Sequence, residues 1–155
     1  MIEIYTDGSA NPNTKCGGWA IVIVRDGICE QTYSDYEINT TNNRMEMLAI
    51  ISALKWLKNN SVDSATLYTD SAYIHNCLDQ KWFEKWSVNG WKTANKKPVL
   101  NKDLWEELLG NLIHSKYNLK KVSAHSGVEF NEKADKLAVK TRKNIERNIK
   151  NESCN

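Results

Sequence analysis

Apolar and polar positions along the chain alternate between a period of two and a helical period, and each change of period marks an element. Met1 to Thr6 sets Ile2 and Ile4 between Glu3 and Tyr5, the period of a strand. Gly17-Gly18 opens an unbroken apolar run, Trp19 to Val24, which is expected to form a strand buried on both faces. Asp26-Gly27 is a hairpin signal leading into Ile28 to Tyr36, so an antiparallel meander of three strands is expected. The period then changes. From Thr40 to Asn59 no Pro or Gly intervenes, and Met47, Leu48, Ile50, Ile51, Ala53, Leu54, Trp56 and Leu57 recur at helical spacing on nearly every side. A helix of that kind is normally buried between other elements, and the side chains of Thr40-Thr41-Asn42-Asn43 can cap its start.

Beyond Asn59 the pattern becomes strand and helix in alternation. Ala65 to Thr69 reads as a short strand and Ser71 to Leu78 as a helix. Asn101 to His114 reads as a helix with Leu104, Leu108, Leu112 and the Trp105–Leu109 pair on its apolar side. Asn118 to Ser123 is the last expected strand, Ala124 to Val128 a loop, and from about Asn131 a helix runs through Ala134, Leu137 and Ala138 toward Ile149. Residues 1–150 are long enough for one domain with a real core, and 151–155 are expected to fray. Antiparallel strands followed by strands alternating with helices imply an α/β protein, a mixed sheet flanked by helices.

Composition narrows the picture in three ways. The net charge of +2 and the pI near 8.3 are too mild to imply a polyanion partner by themselves. Charge is segregated, however: residues 1–60 hold five Lys and Arg against seven acids, whereas residues 81–102 hold six Lys and only Glu84. A basic segment interleaved with Trp suggests a polyanion. The four cysteines (Cys16, Cys29, Cys77, Cys154) form no C-x-x-C pair, which disfavours zinc or a redox couple and fits reduced thiols in the cytoplasm. There is no signal-peptide pattern at the start, and the longest apolar run falls far short of a membrane span.

Four carboxylates are placed where chemistry is usual. Asp7 and Asp70 close the strands that end in Tyr5-Thr6-Asp7 and Tyr68-Thr69-Asp70, the same tripeptide written twice. Glu46 shares a face with Ala49, Ile50, Ala53 and Leu57, while Arg44 and Lys55 point the opposite way. Asp135 lies one turn into the last helix, on the side of Ala138 and Val139. Each has an ordinary alternative: Asp in turn chemistry, Glu46 in the first turn favouring the helix dipole. If the four converge, their repulsion must raise their pKa values or draw in cations. Oxygen ligands with no Cys or His cluster suit Mg²⁺ or Mn²⁺, and Mg²⁺ on a few carboxylates is the arrangement of two-metal phosphodiester hydrolysis.

The ordered motifs Tyr-Thr-Asp-Gly-Ser (5–9), Thr-Thr-Asn-Asn-Arg-Met-Glu (40–46), Thr-Asp-Ser (69–71), Gly-Trp-Lys-Thr-Ala (90–94), Lys-Lys-Pro-Val (96–99), Asp-Leu-Trp (103–105) and His-x-Gly…Asn-Glu-x-x-Asp (125–135) resemble a type 1 ribonuclease H of the bacterial kind. That resemblance implies a ribonuclease H-like fold, a five-stranded mixed sheet in the order 3-2-1-4-5. It implies a metal-dependent endonuclease that hydrolyses the RNA strand of RNA/DNA hybrids, leaves 5′-phosphate and 3′-hydroxyl ends, and works as a monomer. By motif, Asp7, Glu46, Asp70 and Asp135 resemble the family's metal-binding carboxylates, holding two Mg²⁺ ions with Mn²⁺ able to substitute. His125 resembles the loop histidine that moves protons, although a lone histidine in such a loop is also ordinary surface. Thr41, Asn42 and Asn43 lie in the stretch resembling the one that meets the hybrid's minor groove. Asn131 matches a family position and could equally cap the last helix.

Trp82, Trp86 and Trp91, with Lys85, Lys92, Lys96 and Lys97, resemble the family's basic protrusion, where lysines meet phosphates without reading sequence. The tryptophans could also pack on one another as a small satellite core. Several positions depart from the family pattern: Ser87-Val88-Asn89 and Leu100 where basic residues are common, Ala72 where Gln is frequent, and Ser123-Ala124-His125-Ser126 where Lys-Gly-His-Ala is usual. A non-catalytic hybrid-binding module is the alternative from another class. The four retained carboxylates argue against it, since a pure binder gains nothing from negative charge where phosphates dock.

Overall fold

The computed structural model describes residues 1–93, 95–113, 115–122 and 129–153. The expected hairpins come first: β1 (Ile2–Ala10), β2 (Gly17–Arg25) and β3 (Ile28–Glu37) form an antiparallel meander. Asp26 and Gly27 turn the β2–β3 hairpin with φ of 52° and 84°, the doubly left-handed turn that Asp-Gly favours. The long helix α1 (Asn42–Asn59) follows, with Thr41 as N-cap accepting from the Arg44 N–H. Then come β4 (Ser64–Thr69), α2 (Ala72–Asp79), α3 (Trp82–Asn89), α4 (Lys102–Leu112), β5 (Lys116–Lys121) and α5 (Glu129–Ser153). The strands make one mixed sheet in the order β3-β2-β1-β4-β5, with β4 parallel to both β1 and β5.

Two cores lie on the two faces of this sheet. On one, Ile2, Ile4, Ile21, Ile23 and Leu67 meet Met47, Ile50, Ile51 and Leu54 of α1, which in turn packs on Trp105 and Leu108 of α4. On the other, Tyr5, Val22 and Val24 meet Ala134 of α5, with Phe130 and Tyr68 beside them. This alternation explains why Trp19 to Val24 is uninterrupted in apolar character: β2 is covered on both faces.

Several elements differ from the sequence expectation. β1 runs on to Ala10 because β2 continues to pair with it, Asp7 opposite Ala20 and Ala10 opposite Gly17. The basic Trp-rich segment contains a helix, α3, that periodicity alone did not reveal. β5 lies two residues earlier than expected, in register with β4 from Ser64↔Lys116 to Thr69↔Lys121. The tail expected to fray from residue 151 is helical as far as Ser153, since no Pro or Gly follows residue 128 to stop the helix. The cysteines Cys16, Cys29 and Cys77 are free thiols, and burial pushes Cys77 up to about 12.

β1 and the first turn of α1 come together at Gly8. A Cβ on Gly8 would stand 2.4 Å from the backbone N of Glu46 and 2.4 Å from the backbone C of Met45, neither of which can swing aside. That contact seats Glu46 against the strand that holds Asp7. Gly8→Ala should therefore destabilise the protein by about 1–3 kcal/mol, the usual range for overpacking a tight contact, read as a lowered urea midpoint with unchanged slope.

Candidate active site

The twice-written tripeptide acquires its meaning from strand register. β1 and β4 run parallel, with Tyr5 opposite Tyr68, so the following Thr6 and Thr69 and then Asp7 and Asp70 take equivalent places on neighbouring strands. The Tyr5 and Tyr68 rings stack at 4.6 Å, and the Thr6 hydroxyl donates to the Tyr68 carbonyl at 2.8 Å. Both threonines are fully buried. Asp7 is inside β1 rather than at its end, but it lies past the last β1–β4 pair, where the parallel ladder opens. Asp70 stands immediately before Ser71, the N-cap of α2, whose side chain accepts from the Ile74 N–H.

Glu46 reaches the same point from α1. It is 8% exposed, and its face is the one the wheel assigned, with Ala49, Ile50, Ala53 and Leu57 buried beside it. Ligand oxygens of Asp7, Glu46 and Asp70 all lie within 4.8 Å of one another. Asp135, from α5 on the far side of the sheet, joins them in lining one open cleft of about 340 Å³, together with Gly8, Ser9, Asn42, Asn43 and Ser71.

Such crowding shows in the acidities. Burial is the main reason that Asp7 rises to about 7, with the Asp70 charge and the Asp135 carboxyl adding to the rise, while Glu46 and the Gly8 N–H act the other way. The Gly8 N–H donates to Asp7 Oδ1 at 2.8 Å. Glu46 is pushed well above its usual range, again by burial first and then by the Asp7 and Asp70 charges. Its Oε2 is buried without a hydrogen-bond partner. A buried carboxylate oxygen left so is costly unless a cation meets it. Oxygens around Mg²⁺ or Mn²⁺ span at most about 4–5 Å across the ion, so the all-oxygen set of Asp7, Glu46 and Asp70 fits such an ion in both spacing and chemistry.

A family model described as RNase H matches residues 1–143. The chain belongs to the ribonuclease H family. It is 44% identical over 149 residues to the ribonuclease H of Caldanaerobacter subterraneus subsp. tengcongensis, covering 96% of this chain and 95% of that protein. It is 48% identical over 139 residues to the ribonuclease H of Acetivibrio thermocellus, covering 88% of this chain and 91% of the relative. Among solved structures, LC9-RNase H1, a type 1 RNase H with the type 2 active-site motif, matches with a TM-score of 0.75 at 26% identity, over 92% of this chain and 72% of that one.

Asn42 and Asn43, at the start of α1, line the rim of the cleft. Thr41, Asn42 and Asn43 are all exposed. The Ala10 N–H donates to Asn42 Oδ1 at 2.6 Å, tying the end of β1 to the start of α1. His125, with residues 123–128, lies outside the described residues. Asn131 is 2% exposed with its Oδ1 unpartnered, inside α5 rather than ahead of it, so the capping alternative is set aside.

The basic segment stands apart from the cleft. Lys85, Lys92, Lys96 and Lys97 are exposed. Trp86 is buried, 5.8 Å from Trp91 and 5.6 Å from Trp105, so the tryptophans join the main core rather than a separate satellite. Trp82 and Trp91 are half-buried, and Trp82 packs on Tyr73. Arg44 was not anticipated as a brace. It donates to Glu37 at 3.0 Å and to Asn101 Oδ1 at 3.3 Å, tying the first turn of α1 to the end of β3 and the start of α4. Its place opposite Glu46 on the wheel was the available signal.

The raised pKa of Asp7 has a testable sign. The folded protein holds this proton up to about pH 7, and the unfolded chain releases it near 3.8. Above the unfolded value the unfolded state binds fewer protons, so stability falls as pH rises from about 4 to 7. In EDTA, the melting temperature should drop by several degrees over that window in the parent and by less in Asp7→Asn. Mg²⁺ should recover the loss at pH 8 in the parent alone, as followed by thermal melts.

Proposed function

We propose that the chain is an endoribonuclease that hydrolyses the RNA strand of RNA/DNA hybrids, a single domain over residues 1–150 acting as a cytoplasmic monomer. The observation that supports this best is the meeting of Asp7, Glu46 and Asp70 in one open cleft, with Asp135 on its wall and Asn42 and Asn43 on its rim. No helix among the described residues is long and apolar enough to cross a membrane.

Asp7, Glu46, Asp70 and Asp135 would hold a pair of Mg²⁺ ions, with Mn²⁺ as a substitute. When bound, the ions supply positive charge against the carboxylates and against the charge that develops on the scissile phosphate. The rigid placement of Asp7 and Asp70 by β-sheet register, and of Glu46 by the Gly8 contact, keeps these ligands preorganised. Attack of water on phosphorus breaks the P–O3′ bond, leaving a 3′-hydroxyl on one fragment and a 5′-phosphate on the other. His125 is proposed to move protons in this exchange, on the strength of its motif. Asn42 and Asn43 would donate to the minor groove, where 2′-hydroxyls distinguish the RNA strand. Thr41, already engaged as the N-cap, would lie against the backbone beside them.

The segment with Trp82, Trp86 and Trp91 is proposed to steady the hybrid through Lys85, Lys92, Lys96 and Lys97. The tryptophans act as the packed base from which the lysines project, consistent with the burial of Trp86 and the exposure of the lysine tips.

Asp7→Asn and Asp70→Asn should each abolish cleavage of a labelled RNA/DNA hybrid in Mg²⁺ or Mn²⁺ while the fold persists. The parent should cleave the hybrid, leave duplex DNA and single-stranded RNA intact, and stop in EDTA. Near-parental activity of either variant would overturn the assignment. Lys96→Ala/Lys97→Ala should lower the slope of log K against log[salt] by about two units, one for each lost phosphate contact. kcat at saturating hybrid should hardly change, because such contacts hold substrate and transition state alike. Identical salt slopes would confine hybrid binding to the face around Asn42 and Asn43.

A further inference from the structure

A second concentration of positive charge lies on α5, away from the cleft. Between Lys133 and Asn151 every exposed residue of this helix is Lys, Arg or Asn. The cations are Lys133, Lys136, Lys140, Lys143, Arg147 and Lys150, at successive spacings of three, four, three, four and three. With 3.6 residues per turn they share an arc of roughly 100° along about 25 Å of helix. Asn131, Ala134 and Ala138 are buried on the opposite side, so the stripe lies on the solvent side of α5, with Lys133 reaching Cys29 of β3 and Lys143, Arg147 and Lys150 edging a groove beside Thr14, Cys16 and Ile38.

The acids of the same stretch are turned elsewhere. Asp135 lines the catalytic cleft, and Glu146 meets Arg142 at 3.2 Å and Asn11 at 3.3 Å. Lys136, Lys140, Lys143 and Lys150 enter no ion pair among the described residues. Lys133 donates to Cys29 Sγ and Arg147 to Asn144 Oδ1. An ordinary solvated helix interleaves Glu with Lys at these spacings, because like charges three and four apart repel. Here the neighbours from Lys136 to Lys150 along the stripe are cations; Glu129 and Glu132 stand at its N-terminal end, and Glu146 at its edge is held by Arg142 and Asn11.

We propose that this face of α5 binds the sugar–phosphate backbone of duplex nucleic acid, independently of sequence. It forms a second contact on the face of the sheet opposite the basic segment 81–102. The stripe's length matches about seven phosphates along one strand at 3.4 Å each. A membrane surface fits less well. A helix settles on a bilayer by burying its apolar side there, and the apolar side of α5, with Phe130 and Ala134, is already packed on the sheet. The contact goes beyond hybrid cleavage and does not depend on it.

The test is fluorescence anisotropy of a labelled 30-base-pair duplex DNA with the full chain in EDTA, across a salt series. Duplex DNA is not the proposed substrate, so the outcome is separate from that of the cleavage assay. Lys136→Gln/Lys140→Gln/Lys143→Gln/Arg147→Gln should lower the slope of log K against log[salt] by about three units and weaken binding near 0.1 M salt by at least about tenfold. Lys136→Arg/Lys140→Arg/Lys143→Arg should keep the parental slope. The glutamine variant should melt at or above the parental temperature, since it removes like-charge neighbours. A glutamine variant whose slope stays within about half a unit of the parent overturns the proposal. So does unchanged duplex binding accompanied by loss of binding to phosphatidylserine/phosphatidylcholine vesicles, which would assign the stripe to lipid.

Discussion

Everything at the cleft depends on keeping several carboxylates closer together than water alone would allow. Asp7, Glu46 and Asp70 bring ligand oxygens within 4.8 Å, and two of the three are almost wholly buried. Repulsion and desolvation both oppose this arrangement, and the raised pKa values of Asp7 and Glu46 record the strain. The rest of the fold holds it together. The stacked Tyr5 and Tyr68, the Thr6 hydroxyl on the Tyr68 carbonyl and the apolar cores on both faces keep β1 and β4 in register, whatever the charges at their ends prefer.

That tension also links stability to function. The native state gives up stability between about pH 4 and 7, where the unfolded chain has released the Asp7 proton and the folded protein still holds it. A cation that bound the native cleft and not the unfolded chain would add to folding free energy. Gly8 belongs to the same logic: the absence of a side chain lets the backbone of β1 approach the first turn of α1 closely enough for Glu46 to share the cleft with Asp7.

Positive charge is arranged around this acidic centre on separate elements. The lysines of the 81–102 segment project from a Trp-packed base on the α1 side of the sheet, and the α5 stripe faces outward on the other side. Neither the lysines of the 81–102 segment nor those of the stripe line the cleft that Asp7, Glu46 and Asp70 share. The proposed division is simple: chemistry at the strand ends, phosphate binding on surfaces remote from them.

Much of this was legible in the sequence. Helical periodicity gave α1 its extent and put Glu46 on its buried side, and Asp26-Gly27 specified a hairpin because only certain residues tolerate its left-handed turn. The ordered motifs pointed to the family, and the repeated Tyr-Thr-Asp marked two related strand positions. What the sequence could not state was distance. That Asp7 lies within a strand yet beyond its parallel partner, and that Asp70 stands beside it, follows from the β1–β4 pairing, a contact between segments about sixty residues apart. The helix α3 escaped the pattern because its exposed and buried positions are set by packing on Tyr73 and Trp105, not by an apolar period of its own. The outward direction of the α5 cations likewise became definite only when the sheet claimed the opposite side of the helix. Local pattern depends on neighbours along the chain, whereas a site depends on neighbours across it, and only tertiary packing chooses those.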